Sequence, residues 1–216
     1  MEKEKEQSRL KLGIGIPLSW AYVPSDFFDS CMMLNKHNAE ILRAQNGPIH
    51  EMRNTIVRRA LEIDCTHLIF LDADMVYPVD TITKLISHDK DIVGALTFKR
   101  APDFDPLVFV GEPYKMVLMD PIPDGLVKVI ATGTGCLMIK THVFESLDYP
   151  WFEFGHNDGK PVGEDINFCY NAGKKGFDIY VDTTVRTEHL SNTRVNWNLY
   201  ELQKSMIDQG LKGFTI

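Results

Sequence analysis

The chain has 216 residues and a formal net charge of −7, with 44% hydrophobic and 25% charged residues. That is ample for one large α/β domain with a real core. The acidic balance argues against a nucleic-acid binder built on a basic surface, because neutralising phosphates needs clustered Lys and Arg. No apolar run approaches the roughly 20 residues that span a bilayer, and the four scattered cysteines (Cys31, Cys65, Cys136, Cys169) form no CxxC pair. Reduced, buried thiols in a cytoplasmic protein are the expectation, rather than disulfides or a zinc site.

In chain order, "MEKEKEQSRL" (residues 1–10) is charged, lacks the apolar stretch of a signal peptide, and is expected to form a solvated tail. "KLGIGIPL" reads as a short buried strand that ends at Pro17. "SDFFDSCMMLNKHN" reads as a helix with Ser25 or Asp26 as N-cap. "AEILRA" is strand-like and "QNGP" a turn. From Glu51 onward, Met52, Ile56, Ala60 and Ile63 recur at helical spacing. "THLIFL" is the next buried strand. Pro78 then occupies a natural first helical position, with Val79, Ile82, Leu85 and Ile86 as the inner face of a third helix, and "DIVGAL" is a strand again. This alternation predicts right-handed crossovers and a mostly parallel sheet, with ligands beyond the carboxyl ends of its strands.

The second half has a different texture. "PLVFV", "YKMVLM", "LVKVIA" and "CLMIK" are short strands separated by turns such as "PIPDG" and "TGTG", which predicts an antiparallel extension. A helix from about Thr141, an aromatic loop "YPWFEFGHNDGK", a helix from near Glu164 and a strand "DIYVDTTV" follow. Val195, Leu199, Leu202 and Met206 form one stripe of a C-terminal helix. Residues 11–194 are expected to make a single domain, and 195–216 a helix that packs on it or on the partner in a homo-oligomer.

Two aspartates close the strand in "LIFLDADMVYP". Residues two apart on an extended chain point to the same side, so Asp72 and Asp74 can present their carboxylates together at the mouth of the sheet. Adjacent carboxylates repel unless a cation sits with them, and a hard divalent ion is the simple solution. Strand-end turn chemistry would explain the same residues equally well.

The order of the motifs adds a resemblance. "EMRNTIVRRALE", "LIFLDADMVYP", "ATGTGCLMIKTHVFE", "VGEDINFCYNAGKKGFDIYVD" and "RTEHL" follow one another as in the GT-A glycosyltransferases, particularly the family 2 type with its DxD motif. The match runs from Leu12 to Leu190 and implies an α/β GT-A fold, a Rossmann-like, mostly parallel central sheet with a smaller antiparallel extension. It implies that Asp74 binds a metal directly, that Asp72 meets the donor ribose and the metal, and that His189 is the remaining metal ligand. Imidazole suits Mn²⁺ better than Mg²⁺, so Mn²⁺ is preferred with Mg²⁺ the alternative. Arg53 and Asn54 would hold the base or adjoining sugar, with Pro17 near the nucleobase. UDP-sugar is the default donor, although "LSW" replaces the family's common "TYN" after Pro17.

By the same resemblance Asp165 is the general base that takes the proton of an acceptor hydroxyl, and Glu164 orients acceptor or donor. Acids answering the dipole at a helix start are the plainer account of this pair. His156, Asn157 and Asp158, with Trp151, Phe152 and Phe154, would stack on a sugar or form a satellite cluster. The small-residue turn of Thr132, Gly133 and Gly135 could bring backbone amides to the sugar. The whole reads as a hexosyltransferase of inverting type with an unknown acceptor. A nucleotidyltransferase and a non-catalytic nucleotide-sugar binding module are the alternatives. The former usually carries a Gly-rich, basic loop after its first strand, which "GIPLSWAYVPSD" does not provide.

Overall fold

The "LIFL" run is apolar at every position because its strand is covered on both faces. Leu68 and Phe70 enter one core cluster while Ile69 and Leu71 enter the other, and all four are fully buried. The computed structural model describes residues 10–113, 115–157, 159–191 and 194–211. The expected charged tail lies outside these residues apart from Leu10, as does Asp158 of the aromatic loop.

The first half supplies β1 (Leu12–Leu18), α1 (Ser25–Met33), β2 (Glu40–Gln45), α2 (Ile49–Glu62), β3 (His67–Leu71), β4 (Met75–Val76), α3 (Thr81–Ser87) and β5 (Ile92–Leu96). Next come β6 (Val108–Glu112), β7 (Lys115–Leu118), β8 (Leu126–Val129), β9 (Ala131–Thr132), β10 (Cys136–Lys140) and α4 (Thr141–Ser146). The chain continues through β11 (Gly155–Asn157), β12 (Lys160–Val162), α5 (Glu164–Lys174), β13 (Ile179–Arg186), β14 (Glu188–Leu190), β15 (Arg194–Val195) and α6 (Trp197–Asp208).

Seven strands form the central sheet in the order β2-β1-β3-β10-β5-β13-β8. The pairs β1–β2, β1–β3 and β5–β13 are parallel, while β10 runs antiparallel to both β3 and β5 and β8 antiparallel to β13. The sheet is therefore mostly parallel, as the alternation predicts. The antiparallel extension is smaller than the sequence suggested. Of the strands from β6 to β10, β6, β7 and β9 make a separate sheet, whereas β8 and β10 complete the central one; β11–β12 and β4–β14–β15 are two further small antiparallel sheets.

Helices α2, α4 and α5 cover one face through Met52, Ile56, Val57, Val143, Phe144, Phe168 and Cys169, and Phe27, Ile82 and Leu85 of α1 and α3 cover the other. Three expected details differ. No side chain caps α1, whose N-cap is Pro24. Helix α3 begins at Thr81 because the Pro78 carbonyl accepts from the Thr81 amide at 3.1 Å and its hydroxyl at 2.7 Å, forming a turn that leaves Val79 56% exposed. On α6 the inner face is Leu199, Tyr200 and Gln203. Leu202 points outward and Val195 belongs to β15, because the helix starts only after Asn196 accepts from the Leu199 amide.

Helix α2 lies unusually close to β1. A Cβ on Gly15 would stand 2.6 Å from Ile56 Cγ2 and 3.2 Å from the Phe70 ring, so the contact needs glycine. This seating carries Arg53, one turn before Ile56, to the carboxyl end of β3. Gly15→Ala is expected to destabilise the fold by about 1–3 kcal/mol, the usual cost of overpacking. Denaturant unfolding with an unchanged midpoint would contradict this close packing.

Candidate active site

The chain leaves β3 by a turn at Ala73 and Asp74 rather than continuing extended. The same-side rule for an extended chain therefore does not apply, and the two carboxylates part company. Asp72 turns toward α2, where Arg53 donates from Nη1 to Oδ1 at 3.1 Å and from Nη2 to Oδ2 at 3.0 Å. Arg53 Nε also reaches Glu164 Oε1 at 3.5 Å, and its guanidinium lies over the Phe70 ring. Burial opposes its charge, but Asp72 and Glu164 outweigh that effect and hold its pKa above the ordinary arginine value. Arg53 is thus no part of a basic outer face. Arg58 and Arg59 are exposed; Arg53 is buried.

Asn54 is hydrogen-bonded to the backbone of Phe152. Its Nδ2 donates to the Phe152 carbonyl at 2.8 Å and its Oδ1 accepts from the Phe152 amide at 3.0 Å. Phe152 is stacked on Phe168 with centroids 4.7 Å apart, so this aromatic belongs to the main core and to neither a sugar platform nor a satellite cluster. Trp151 joins it by donating Nε1–H to the Phe144 carbonyl. Phe154 is 52% exposed and meets the His50 ring edge-on. Pro17 is buried near the end of β1, paired with Ala44 of β2 and beyond the last β1–β3 pair, Gly15 with Phe70.

Asp74 lies on the other side of the turn. The antiparallel pairing of β4 with β14 puts His189 opposite Met75, and the Leu190 amide donates to the Asp74 carbonyl at 2.7 Å. His189 Nδ1 is 2.7 Å from the Phe98 carbonyl, which can only accept, so Nδ1 carries a proton. His189 Nε2 then faces Asp74 Oδ2 at 3.5 Å. A carboxylate oxygen facing a ring nitrogen is favourable only with a cation there: a proton on Nε2, or a metal ion between the two. Arg100 Nη1 donates to the same Oδ2 at 3.0 Å. Burial would raise the Asp74 pKa, but His189 and Arg100 together bring it below the usual carboxylate value.

Asp72, Asp74 and His189 do not converge as a three-ligand set. Among the described residues no group of three or more His, Cys, Asp and Glu could hold a metal ion. The reason is Arg53, which engages both oxygens of Asp72. Asp74 and His189 fit an ion as a pair, with the imidazole already oriented through its second nitrogen.

The turn of Thr132, Gly133 and Gly135 runs between the carboxylates. A Cβ on Gly135 would lie 3.5 Å from Asp72 Oδ2, and one on Gly133 would lie 3.8 Å from Asp165 Oδ2. Two of its polar groups bond within the protein. The Gly135 carbonyl accepts from the Asp72 amide at 3.0 Å, and Thr132 Oγ1 donates to the Leu107 carbonyl at 2.7 Å. Asp165, in the first turn of α5, accepts from the Ile166 amide at 2.8 Å. Burial and the adjacent Glu164 raise its pKa to about 6 in spite of that bond and Arg53.

Three participants escaped the sequence reading. Arg100 and the Phe98 carbonyl come from the segment after β5, which carries no motif. Tyr77 is buried, with its hydroxyl 2.7 Å from the Asp72 carbonyl and 2.9 Å from that of Gly135, tying the turn to the glycines. A tyrosine five residues after Asp72 was the available signal.

No protein-family model and no curated protein matches this chain. Solved structures do. The crystal structure of A197 from STIV superposes with a TM-score of 0.61 at 19% identity, covering 84% of this chain and 86% of that one. S. aureus TarS 1–349 in complex with UDP superposes with a TM-score of 0.52 at 14% identity, covering 80% of this chain and 57% of that one. TarS 1–349 without it gives 0.51 at 13% identity, covering 81% and 61%, so this chain spans less than two thirds of either of these two TarS structures. These similarities show the fold: a mixed α/β domain with a mostly parallel central sheet, matching GT-A glycosyltransferase structures.

The Asp165 shift has a consequence for stability. Asp165 takes up its proton at about pH 6 in the fold, but only near pH 4 in an unfolded chain. The folded state binds more protons between those values, so this group lowers stability as pH rises through that window. Asp165→Asn removes the cost. The variant is expected to melt a few degrees above wild type at pH 8, with the difference shrinking at pH 4. Thermal scans at the two pH values check both statements.

Proposed function

We propose that the protein is a metal-dependent glycosyltransferase that moves a sugar from a nucleotide diphosphate, UDP-hexose as first choice, to a hydroxyl acceptor with inversion. The observation that carries the reading is the Asp74–His189 pair, an oriented imidazole facing a carboxylate oxygen, two residues beyond Asp72, whose Arg53 partner also reaches Glu164 next to Asp165, a carboxylate whose pKa is about 6. The UDP held by the similar TarS structure favours the donor class.

Asp74 and His189 would hold Mn²⁺, or Mg²⁺ in its place. The ion, when bound, neutralises charge growing on the leaving diphosphate. Asp165 accepts the acceptor hydroxyl's proton as its oxygen attacks the anomeric carbon. A pKa near 6 suits this work, because the group is largely ionised at pH 7 yet remains more basic than an ordinary aspartate. Arg53 acts through its carboxylates: it fixes Asp72 at the edge of the donor site and Glu164 beside the base. In this reading Asp72 contacts donor, Asp74 carries the metal, and Glu164 orients the reacting sugar or acceptor.

Four measurements test the proposal. Asp74→Ala should abolish Mn²⁺-dependent UDP binding in calorimetry; undiminished affinity would end the reading. Asp165→Asn should keep UDP affinity within a small factor while lowering turnover about 10²- to 10⁴-fold, the usual contribution of general-base catalysis. Donor hydrolysis provides that assay without a known acceptor. Because the ionised form is the active one, wild-type turnover should fall on the acid side of about pH 6. NMR of the released sugar, read before mutarotation, should give the inverted anomer. Retained configuration would exclude Asp165 as the base of a single displacement.

A further inference from the structure

We infer that Arg100 is an exchange residue: its guanidinium neutralises Asp74 while no divalent ion is bound, and turns to the donor diphosphate once an ion takes its place. This rests on the glycosyltransferase reading above.

Asp72 and Asp74 each have an arginine, and the two pairs are built differently. Arg53 has 4% of its side chain exposed and grips Asp72 through two bonds. Arg100 is 57% exposed and meets Asp74 through Nη1 alone in their ion pair. A locked guanidinium cannot be displaced without unpairing buried charges, whereas an exposed pair is worth little and exchanges readily.

The oxygen that Arg100 occupies is the telling one. Asp74 Oδ2 receives Arg100 Nη1 at 3.0 Å and faces His189 Nε2 at 3.5 Å. A divalent ion held between Asp74 and His189 needs that same oxygen. It would also stand against the guanidinium, and two cations so close repel. Arg100 and the ion therefore compete for one position.

Displacement need not carry Arg100 far, because its backbone is tied down. Phe98 bridges to Pro106, the Lys99 amide donates to the Asp105 carbonyl at 2.9 Å, Lys99 pairs with Asp105 at 2.8 Å, and the Leu107 amide donates to the Thr97 carbonyl at 2.9 Å. Phe104 is fully buried beneath the loop. The same segment fixes His189 through the Phe98 carbonyl. The Arg100 side chain, 57% exposed, has room to swing, and would do so beside the ion, where the phosphates of a bound donor would lie. A guanidinium fork matches two phosphate oxygens. The ion thus releases the group that then helps to hold the donor.

The test uses the full chain and two titrations whose expected signs are opposite. Mn²⁺ alone, followed by electron paramagnetic resonance, should bind Arg100→Ala about two- to fivefold more tightly than wild type, because a competitor worth an exposed ion pair is gone. UDP titrated at saturating Mn²⁺ should bind the same variant about tenfold more weakly, since a charge-assisted contact is lost. Arg100→Lys, which keeps the charge without the fork, should fall between. If wild type binds Mn²⁺ through Asp74 but Arg100→Ala leaves both titrations unchanged, or weakens both, the exchange is overturned and the glycosyltransferase reading stands. If wild type binds no Mn²⁺, or binds it equally well as Asp74→Ala, both fall.

Discussion

The site depends on one buried guanidinium. Arg53 sits with 4% of its side chain exposed between Asp72 at the end of β3 and Glu164 at the start of α5. Bringing such charges out of water costs several kcal/mol per ion, recovered only with good geometry and further hydrogen bonds. Arg53 meets that condition with two bonds to Asp72 and a longer one to Glu164. It thereby joins three elements, with Asp72 19 residues and Glu164 111 residues along the chain from Arg53. It also sets the electrostatics of its neighbour: Arg53 lowers the Asp165 pKa, but Glu164 and Asp72 raise it, and with burial they prevail. One cation shared by two carboxylates leaves the third close to ordinary physiological pH.

The two aspartates of the strand end are consequently specialised. Asp72 is fastened from above by Arg53 and from below by the Gly135 carbonyl on its amide, with Tyr77 completing the clamp. Asp74 belongs instead to the small β4–β14–β15 sheet, whose register decides which side chain it faces. A slip by one residue would turn His189 away, since side chains alternate along a strand. The Phe98 carbonyl adds a second fix on the imidazole, and it comes from the loop that carries Arg100. The pieces are separate in sequence but mechanically linked.

How much of this could be read from the sequence follows from the range of each interaction. Strand β3, helix α2 and the acids after "LIFL" were visible because periodicity and abrupt polarity changes are local signals. The insertion of β10 between β3 and β5 was not, because short apolar strands say nothing about their partners. Arg53 and Arg58 look alike on a line of letters; a turn and a half of helix separates a buried ion pair from an exposed surface residue. The clamp that Asn54 makes on Phe152 spans 98 positions and leaves no local signal. Arg100 could not be found at all, since its meaning comes only from where the loop after β5 brings it. Residue type was legible, and pairing was not.

The place of β10 also bears on how the molecule comes into being. When the first hundred residues have left the ribosome, β2, β1 and β3 can form half a sheet, but β5 has no neighbour within it. Both of its partners, β10 and β13, are still to be made. Cys136 must find Leu71, and Leu137 must find both Phe70 and Gly94, before the halves become one sheet. Pairings across such separations form slowly, and unpaired strand edges invite association in the meantime. Strand β10 is thus the keystone of biogenesis: a nascent chain that stops short of Lys140 holds Asp72 and Asp74 but has no completed sheet on which to mount them.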